Sequence, residues 1–396
     1  MSNAAILVQA VAQAILQIAI VATVQACTLT RTLIHNFADL DDHRIFANRE
    51  VLNAAEESPL RSLRHEPAFV NALRVPDDTG ATWPLDAYLE RTRTAAFIVL
   101  HEDHIVLERY ARGFDQQSLL NSFSIAKSFM GVLVGIAIEE GRLAGLDISV
   151  ASICQEFEGT AYGPVTLRQL LTMTSGVTDA PSLLPGRAEY YYGSDLHAQA
   201  MHARPATSDS PPWHYSEADL QVAGFVLERA VGMPVSAYLA SRLWQPLGME
   251  APALWALDRE GGEEKTFCCI SARARDFARF GKLIRDGGRW NGRKLIPAAW
   301  AERKVLPGFE DGTGYVHQHL WWTPEGGRGD FFAYGHNGQY VYVNPSARLV
   351  IVKFSETHQQ DPVPMFRALA DAVIAPGNLA EIDRLDATKS LTAGVG

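Results

Sequence analysis

Strand-like segments lie near both ends of this chain, and a long helical stretch separates them. Near residue 100, the apolar runs 95–100 and 105–110 flank the polar segment 102–104, a pattern that predicts a β-hairpin. A second strand-rich block covers 319–354, where short apolar runs alternate with Gly, Pro and Asn. Because strands that are distant in sequence can join one sheet, the pattern predicts an α/β fold: a sheet lobe with an inserted helical lobe.

The stretch between the two strand-rich blocks has a helical pattern. Its predicted helices end on or near glycine, a frequent helix C-terminal signal, and cover 124–140, 167–173, 217–230, 235–243 and 272–285. A closing helix is predicted over 362–375. The resulting division is an apolar N-terminal helix 1–30, an extension 31–89 without a readable motif, a main domain 90–376 and a tail 377–396. Within the main domain, the sheet lobe covers about 90–120 and 305–376, and an all-helical lobe covers about 121–304.

Composition and charge exclude several classes of protein. The 396 residues include 35 Lys and Arg against 45 Asp and Glu, a net charge of −10, so no basic field exists to attract nucleic acid. The four cysteines, Cys27, Cys154, Cys268 and Cys269, show neither C-x-x-C nor zinc spacing. We therefore expect ordinary thiols and no disulfide framework.

The N-terminal segment permits two interpretations. Residues 2–30 carry no charge and are long enough to span a bilayer as a helix. A secretory signal would also have a basic n-region, and Gln9, Gln13 and Gln17 instead place a polar stripe on one helix face. Membrane attachment through residues 4–27 in the cell envelope and a helix packed on protein in a cytoplasmic chain are therefore both open.

The S-x-x-K tetrad from Ser124 to Lys127 opens an apolar helical segment. Three residues are about one helical turn, so Lys127 would lie on the same face as Ser124. A serine hydroxyl needs a base to become a nucleophile, and a desolvated lysine can act as that base. The helix N-terminus adds a favourable dipole and the backbone N–H of Ser124 for an oxyanion. The alternative is a plain N-cap serine with a solvated lysine.

No metal or cofactor is predicted. The sequence lacks G-x-G-x-x-G, a P-loop and H-E-x-x-H, and it also lacks the G-x-S-x-G elbow of other serine hydrolases. His317 and His319 share one strand face at a spacing found in metal sites, but no further ligand stands at a matching offset. We expect a solvated strand face there, and we expect His101 and His104 beside the first hairpin turn to be exposed.

Several segments occur in the order found in the penicillin-recognising serine hydrolases, and the chain resembles that family. The segment 122–128 (S-F-S-I-A-K-S) resembles its first motif, and 167–176 (L-R-Q-L-L-T-M-T-S-G) resembles the helix and turn that follow. The segment 215–217 (Y-S-E) stands where the family has Y-x-N, and 245–249 (Q-P-L-G-M) is similar to its P-L-G-M turn. The segment 335–339 (G-H-N-G-Q) stands where K-T-G or H-x-G lies on a strand beside the active site.

This resemblance implies a β-lactamase/DD-peptidase-like fold and roles for the matching residues. Ser124 would be the acylated nucleophile, Lys127 its proton acceptor and Tyr215 a second acid/base group. The backbone N–H groups of Ser124 and Gln339 would form the oxyanion hole, because Gln339 follows Gly338 as the matching residue follows the glycine of K-T-G.

Two departures from the family pattern bear on the substrate. His336 replaces the lysine that helps β-lactamases to hold a substrate carboxylate, and Glu217 replaces the Asn of Y-x-N. Both departures disfavour penicillins and cephalosporins. Aromatic residues in the loops before the second and third motifs are expected to line the cleft, with packing between the lobes as the alternative. The predicted substrate-binding residues are His336, Gly338, Glu217, Tyr191, Trp213 and Trp322.

The resemblance, which covers about 90–375, implies a cofactor-free serine hydrolase that acts on a small ester or amide. The expected substrates are short esters or linear amides, with 6-aminohexanoate oligomers among them. The alternatives are β-lactamase or D-amino-acid peptidase activity, and a catalytically silent protein that binds cell-wall peptides on the same scaffold. The sequence decides neither between ester and amide nor the oligomeric state.

Overall fold

The structure is a computed structural model that describes residues 28–35, 37–54, 60–179, 186–207 and 213–392. Its strands, numbered in chain order, are β1 Asn48–Val51, β2 Arg61–Ser62, β3 Arg74–Pro76, β4 Thr82–Pro84, β5 Thr94–His101, β6 His104–Tyr110, β7 Leu120–Asn121, β8 Val177–Thr178, β9 Arg204–Pro205, β10 Ala253–Ala256, β11 Ile270–Ala272, β12 Arg289–Trp290, β13 Arg293–Lys294, β14 Gly308–Glu310, β15 Tyr315–Gln318, β16 Trp321–Pro324, β17 Phe331–Gly335, β18 Gln339–Asn344 and β19 Leu349–Ser355.

Helices occupy much of the remaining chain. Residues 28–35 are helical, Asp42–Arg44 and Gln155–Phe157 are 3₁₀ turns, and Ala240–Trp244 is a π turn. The α-helices are α1 Ala68–Ala72, α2 Leu85–Arg91, α3 Ile125–Glu139, α4 Val150–Ile153, α5 Leu167–Thr172, α6 Gly186–Tyr192, α7 Leu196–Met201, α8 Glu217–Val231, α9 Val235–Leu239, α10 Ala274–Arg285, α11 Ala298–Ala301, α12 Val363–Val373 and α13 Pro376–Thr392.

One sheet of nine strands joins the two ends of the chain. Its order is β14-β15-β16-β17-β18-β19-β5-β6-β2, and neighbouring strands are antiparallel except for β2 and β6, which are parallel. Strand β19 lies beside β5, with Val352 opposite Ile98. The predicted hairpin and the late strand block therefore form one sheet, which confirms the predicted α/β fold class.

The two faces of this sheet are covered by different parts of the chain. Helix α10 packs on β19, β18 and β5, so the sheet lobe recruits chain from before the predicted boundary at 304. The opposite face packs against α12 and against Val70, Val75 and Tyr88 of the 31–89 extension. The predicted tail 377–396 contains helix α13. The extension and the C-terminal helices are therefore parts of the folded domain.

The inserted lobe surrounds helix α3 and is not purely helical. It also contributes to a four-stranded sheet in the order β1-β10-β11-β7, which the sequence analysis did not predict. Strand β7 ends at Asn121, just before the S-x-x-K segment, and pairs with β11. The start of the S-x-x-K segment is thus fixed by backbone hydrogen bonds to a distant strand.

The cysteines differ from the expectation of ordinary thiols. Cys268 and Cys269 form a disulfide with each other, so that prediction is wrong for this pair. Adjacent cysteines that close a small ring have neither C-x-x-C nor zinc spacing, so those patterns do not indicate such a bond. Cys154 is a buried free thiol, and Cys27 lies outside the described residues.

Residues 4–27, for which membrane attachment was one of two predictions, also lie outside the described residues. Within the described ranges, no single helix has the length and hydropathy of a membrane span. The bent pair Glu217–Val231 and Val235–Trp244 meets that test only when its two helices are taken together.

Helix α3 is buried on all sides because two glycines let other segments approach it. A Cβ built on Gly135 would lie 2.5 Å from the Trp300 ring, so this indole packs directly on the helix backbone. A Cβ on Gly131 would lie 3.1 Å from a terminal methyl group of Leu320, a contact that can relax by side-chain motion. The close approach at Gly135 fixes the depth of helix α3 in the protein.

We expect Gly135→Ala to destabilise the protein by about 2 kcal/mol, because overpacking against Trp300 outweighs the gain of about 1 kcal/mol in helix propensity. Gly131→Ala is the matched control, and its free energy of unfolding should stay within about 1 kcal/mol of the parent. Denaturant unfolding of the three proteins measures both values. Equal destabilisation by the two substitutions would contradict this account of the packing.

Candidate active site

Ser124 stands at the N-terminal end of α3 and lines a cleft between the two lobes. Its side chain makes no capping hydrogen bond to the helix. Instead, Lys127 Nζ donates to Ser124 Oγ across 3.0 Å, and Lys127 is only 1% exposed. A plain N-cap serine with a solvated lysine therefore does not describe this pair. The arrangement is that of a hydroxyl in direct contact with an enclosed amine.

The Lys127 amine is held by groups from distant parts of the chain. Its Nζ donates to the backbone carbonyl of Phe267 at 2.8 Å. It also lies 4.7 Å from the centroid of the Tyr215 ring, a cation–π geometry. Since these contacts come from different directions, they fix the amine beside Ser124 Oγ.

Tyr215 lies at the entrance to helix α8. The following residue, Ser216, is the N-cap, and its hydroxyl accepts from the backbone N–H of Asp219. The Tyr215 ring stacks on Trp322 with centroids 5.9 Å apart and meets His317 edge-on at 5.8 Å. The cap fixes the backbone and the aromatic contacts fix the ring, which together place the phenol side chain in the cleft.

The 167–176 segment is bonded to the first turn of the helix that follows Tyr215. The hydroxyl groups of Ser175 and Tyr162 donate to Asp219 Oδ1 at 2.8 and 2.9 Å. Asp219 is fully buried, and burial raises the pKa of its carboxyl to about 7 although these hydrogen bonds lower it. Because Asp219 belongs to the first turn of α8, the motif anchors the helix and contributes no side chain to the cleft wall.

The cleft has a volume of about 550 Å³ and brings together most of the predicted site residues. The predicted residues on its wall are Ser124, Tyr215, Glu217, Tyr191, Trp213, Trp322 and His336. Wall residues that the sequence analysis did not assign to the site are Phe37, Phe123, Phe267, Cys268, Asp311 and Tyr334. The aromatic residues predicted in the loops therefore line the cleft.

The N-terminal extension also shapes this wall. The Tyr191 hydroxyl donates to Asp42 Oδ2 and accepts from Asn121 Nδ2. The Ala38 carbonyl accepts from Asn337 Nδ2 at 2.9 Å. The segment around residues 38–42 also accepts the backbone N–H of Asn121 in β7 at the Leu40 carbonyl, so it contacts both β7 and the third-motif turn. No local sequence signal marks these contacts, because they join residues that are distant in the chain.

The residues of the third-motif turn divide between the cleft wall and the core. Gln339 is fully buried, pairs with Gly335 across β17 and β18, and directs its side-chain amide to the carbonyls of Ser355 and His336. Gly338, which was predicted to bind substrate, does not line the cleft. Because the predicted oxyanion donor is the backbone N–H of Gln339 and not its side chain, that assignment stays a prediction.

The residue of this turn that reaches the wall is His336. His336 directly follows Gly335. The Cα of Gly335 lies so close to the residues before Ser124 that a Cβ would be 2.2 Å from the Ser122 carbonyl oxygen. The His336 ring meets Phe123 edge-on, with centroids 5.7 Å apart. Gly335 is therefore required for strand β17 to approach Ser124, and the backbone of His336 comes next along that strand.

The predicted solvated pair His317 and His319 is buried instead, and its members point to different places. His317 is 3% exposed among the cleft aromatics, and burial lowers its pKa to about 3. His319 is 4% exposed and accepts the backbone N–H groups of Val305 and Leu306, and burial lowers its pKa to about 4. The two imidazoles do not lie in one site. His317 belongs to strand β15, which ends at Gln318, and His319 lies beyond that end.

The histidines beside the first hairpin turn are partly buried, in contrast to the expectation of exposure. His104 Nε2 lies 2.9 Å from Asp386 Oδ1 of helix α13. Burial lowers the pKa of His101. Helix α13 belongs to the stretch predicted to be a tail, so its contact with the hairpin was not anticipated.

Among the described residues, one group has the spacing to hold a metal ion. Ligand oxygens of Glu228, Glu263 and Glu264 all lie within 4.8 Å of one another. Arg49 forms an ion pair with Glu264 at 2.7 Å and already supplies positive charge. Glu228 and Glu263 line a second pocket that shares no lining residue with the cleft. The Ser124 site and this group are therefore separate.

The amino-acid sequence of this chain is similar to those of known proteins. The sequence profile of the family described as Beta-lactamase matches residues 85–374. The chain is 27% identical over 322 residues to a 6-aminohexanoate-dimer hydrolase of Paenarthrobacter ureafaciens, covering 73% of this chain and 78% of that protein.

Solved structures show the same fold. A Bacillus anthracis protein provisionally named 6-aminohexanoate-dimer hydrolase superposes with a TM-score of 0.72 at 24% identity, over 83% of this chain and 91% of that chain. A family VIII carboxylesterase superposes with a TM-score of 0.56 at 16% identity, over 72% of this chain and 94% of that chain.

The Asp219 network leads to a prediction about pH and stability. The pKa of about 7 in the folded protein lies above the ordinary aspartate value of 3.8, so folding favours the neutral carboxyl. The parent should therefore lose stability relative to Asp219→Asn as pH rises from about 4 to about 7, by on the order of 4 kcal/mol, and stay level above pH 7. Denaturant unfolding of both proteins across this range measures the difference. A constant difference would contradict a raised Asp219 pKa.

Proposed function

The chain belongs to the beta-lactamase family and is a serine hydrolase, and on that premise we propose that it cleaves short esters or linear amides through an acyl-enzyme on Ser124. The observation that carries the proposal is the 3.0 Å contact between Ser124 Oγ and the enclosed Lys127 amine at the wall of the cleft. Substrates of the 6-aminohexanoate type, linear amides with an ammonium group on the acyl half and a carboxylate on the leaving half, belong to the proposed range.

In the proposed acylation step, Lys127 accepts the Ser124 hydroxyl proton as Oγ attacks the substrate carbonyl carbon. The developing oxyanion accepts from the Ser124 backbone N–H and from a second N–H on the third-motif turn. We assign that second donor to the backbone N–H of Gln339, the residue that follows Gly338 as the matching residue follows the glycine of K-T-G. Collapse of the intermediate breaks the ester or amide bond.

Tyr215 is the proposed group for proton transfer to the leaving alcohol or amine. Its ring lies over the Lys127 amine, so the proton taken from Ser124 has a short route to the leaving group. Water then attacks the acyl-enzyme, with the same groups acting in the reverse sense, and Ser124 is released. Dividing one difficult step into two easier ones is the gain from covalent catalysis.

The charges of the cleft support the choice of substrate. Glu217 and Asp311 line the cleft, and no Lys or Arg is found among the described residues on its wall. A carboxylate on the acyl group would meet negative charge at this wall. Neutral acyl groups and acyl groups that carry an ammonium group therefore fit the wall better than acyl groups that carry a carboxylate.

The nucleophile is tested with p-nitrophenyl butyrate, 6-aminohexanoate dimer and nitrocefin. We expect the parent to cleave the ester or the dimer, and Ser124→Ala to lower kcat by at least about 10³-fold because no acyl-enzyme can form. Ser128→Ala is the matched control, since it removes a hydroxyl from the next turn of the same helix that donates only to the Leu320 carbonyl. Its activity should stay within about tenfold of the parent.

The result of this assay separates the proposed function from its alternatives. Cleavage of nitrocefin alone would favour β-lactamase activity. A folded parent that cleaves none of the three and binds cell-wall peptides would favour the silent binding protein.

The role of charge is tested by Glu217→Gln. Loss of the carboxylate should raise KM for the 6-aminohexanoate dimer by about tenfold and leave p-nitrophenyl butyrate, which carries no ammonium group, nearly unchanged. Glu228→Gln is the matched control, because Glu228 lies on the same helix but faces the second pocket. An equal change for both substrates would contradict recognition of the ammonium group by Glu217.

A further inference from the structure

The Cys268–Cys269 disulfide lies in a short segment that contacts the catalytic pair. Cys268 lines the cleft, and the carbonyl of the preceding residue, Phe267, accepts from Lys127 Nζ at 2.8 Å. The bonded pair is therefore one residue away from the group that fixes the position of the Lys127 amine.

The same segment holds the residue before the nucleophile. The Cys269 backbone N–H donates to the Phe123 carbonyl at 3.2 Å, and Phe123 directly precedes Ser124. Both residues have positive φ, 74° for Cys269 and 45° for Phe123, in a region that L-residues with side chains rarely adopt. A conformation of this kind persists only when surrounding bonds hold it, and the ring closed by the disulfide is one of those bonds.

The segment reaches the aromatic wall as well. The buried Lys265 ammonium donates to the carbonyls of Tyr190, Tyr191 and Gly193. Residues 265–269 therefore connect the general base, the nucleophile segment and the Tyr191 wall. A change in the backbone at Cys268 and Cys269 would therefore displace the general base, the nucleophile segment and the Tyr191 wall.

We propose that Cys268–Cys269 is a redox modification site whose substrate is a dithiol, and that its reduction lowers the hydrolytic rate. The dithiol delivers two electrons and two protons: the Cys268–Cys269 S–S bond breaks, two thiols form, and the reductant closes to its own disulfide. Release of the ring lets Cys269 leave its positive φ, and the Phe267 carbonyl and Phe123 move with it. Lys127 Nζ and Ser124 Oγ then lose their alignment, and a displacement of about 1 Å can cost about 100-fold in rate.

The bond is tested on the full chain purified without reductant. Digestion after alkylation should give a peptide with Cys268 and Cys269 unalkylated and two hydrogen masses lighter than the dithiol. Treatment with dithiothreitol should make both residues alkylatable. Free thiols at both positions in protein exposed to an oxidant would overturn the proposal, because no modification site would then exist.

The effect on rate is measured by fluorophosphonate labelling of Ser124 and by p-nitrophenyl butyrate hydrolysis. Dithiothreitol should slow both by at least about tenfold, with the loss in kcat and not in KM because Lys127 acts on Ser124 and not on bound substrate. Reoxidation should restore the rate. Equal labelling rates in the bonded and reduced forms would overturn this inference alone.

Two variants control for unrelated effects of the reductant. Cys268→Ser/Cys269→Ser should label at the reduced rate and ignore dithiothreitol, whereas Cys154→Ala, which removes the free buried thiol, should respond like the parent. Labelling rests on the proposed nucleophile, so its complete absence in both redox states would overturn the proposed function together with this inference. The peptide masses would still report the state of the bond.

Discussion

The enclosed Lys127 amine is the feature on which the rest of the site depends. An amine removed from water needs polar partners, and the Ser124 hydroxyl and the Phe267 carbonyl supply them at 3.0 and 2.8 Å. These partners, together with the Tyr215 ring, come from segments separated by more than 50 residues. The long-range packing of helix α3 against the rest of the protein is thus what creates the site.

Much of the fold could be predicted because local pattern and final structure agree. The first hairpin, the strands of the late block and helix α3 lie where the apolar runs placed them. The N-terminal extension could not be predicted in this way. Phe37 lies on the cleft wall and Asp42 anchors Tyr191, but these roles depend on contacts with residues more than 80 positions away, which leave no periodic signal.

The third motif shows that neighbouring residues of one motif can lie in different environments. Strands β17 and β18 form a hairpin in which Gln339 pairs with Gly335, and the Gln339 side chain is enclosed. His336, which was predicted to bind substrate, lies on the cleft wall, whereas Gly338 does not. Neither the burial of His317 nor the Cys268–Cys269 bond was predicted, because burial and ring closure are properties of the assembled fold.

The charge of the cleft decides between the chemistries that this scaffold supports. A substrate carboxylate about 6 Å from Glu217 would be opposed by about 3 kcal/mol at an effective dielectric constant of about 20, close to 100-fold in affinity. Asp311 adds to that opposition. An ammonium group at the same place would gain what the carboxylate loses. The proposed preference for cationic or neutral acyl groups thus follows from the charges on the wall, whereas Ser124 would be acylated by substrates of either class.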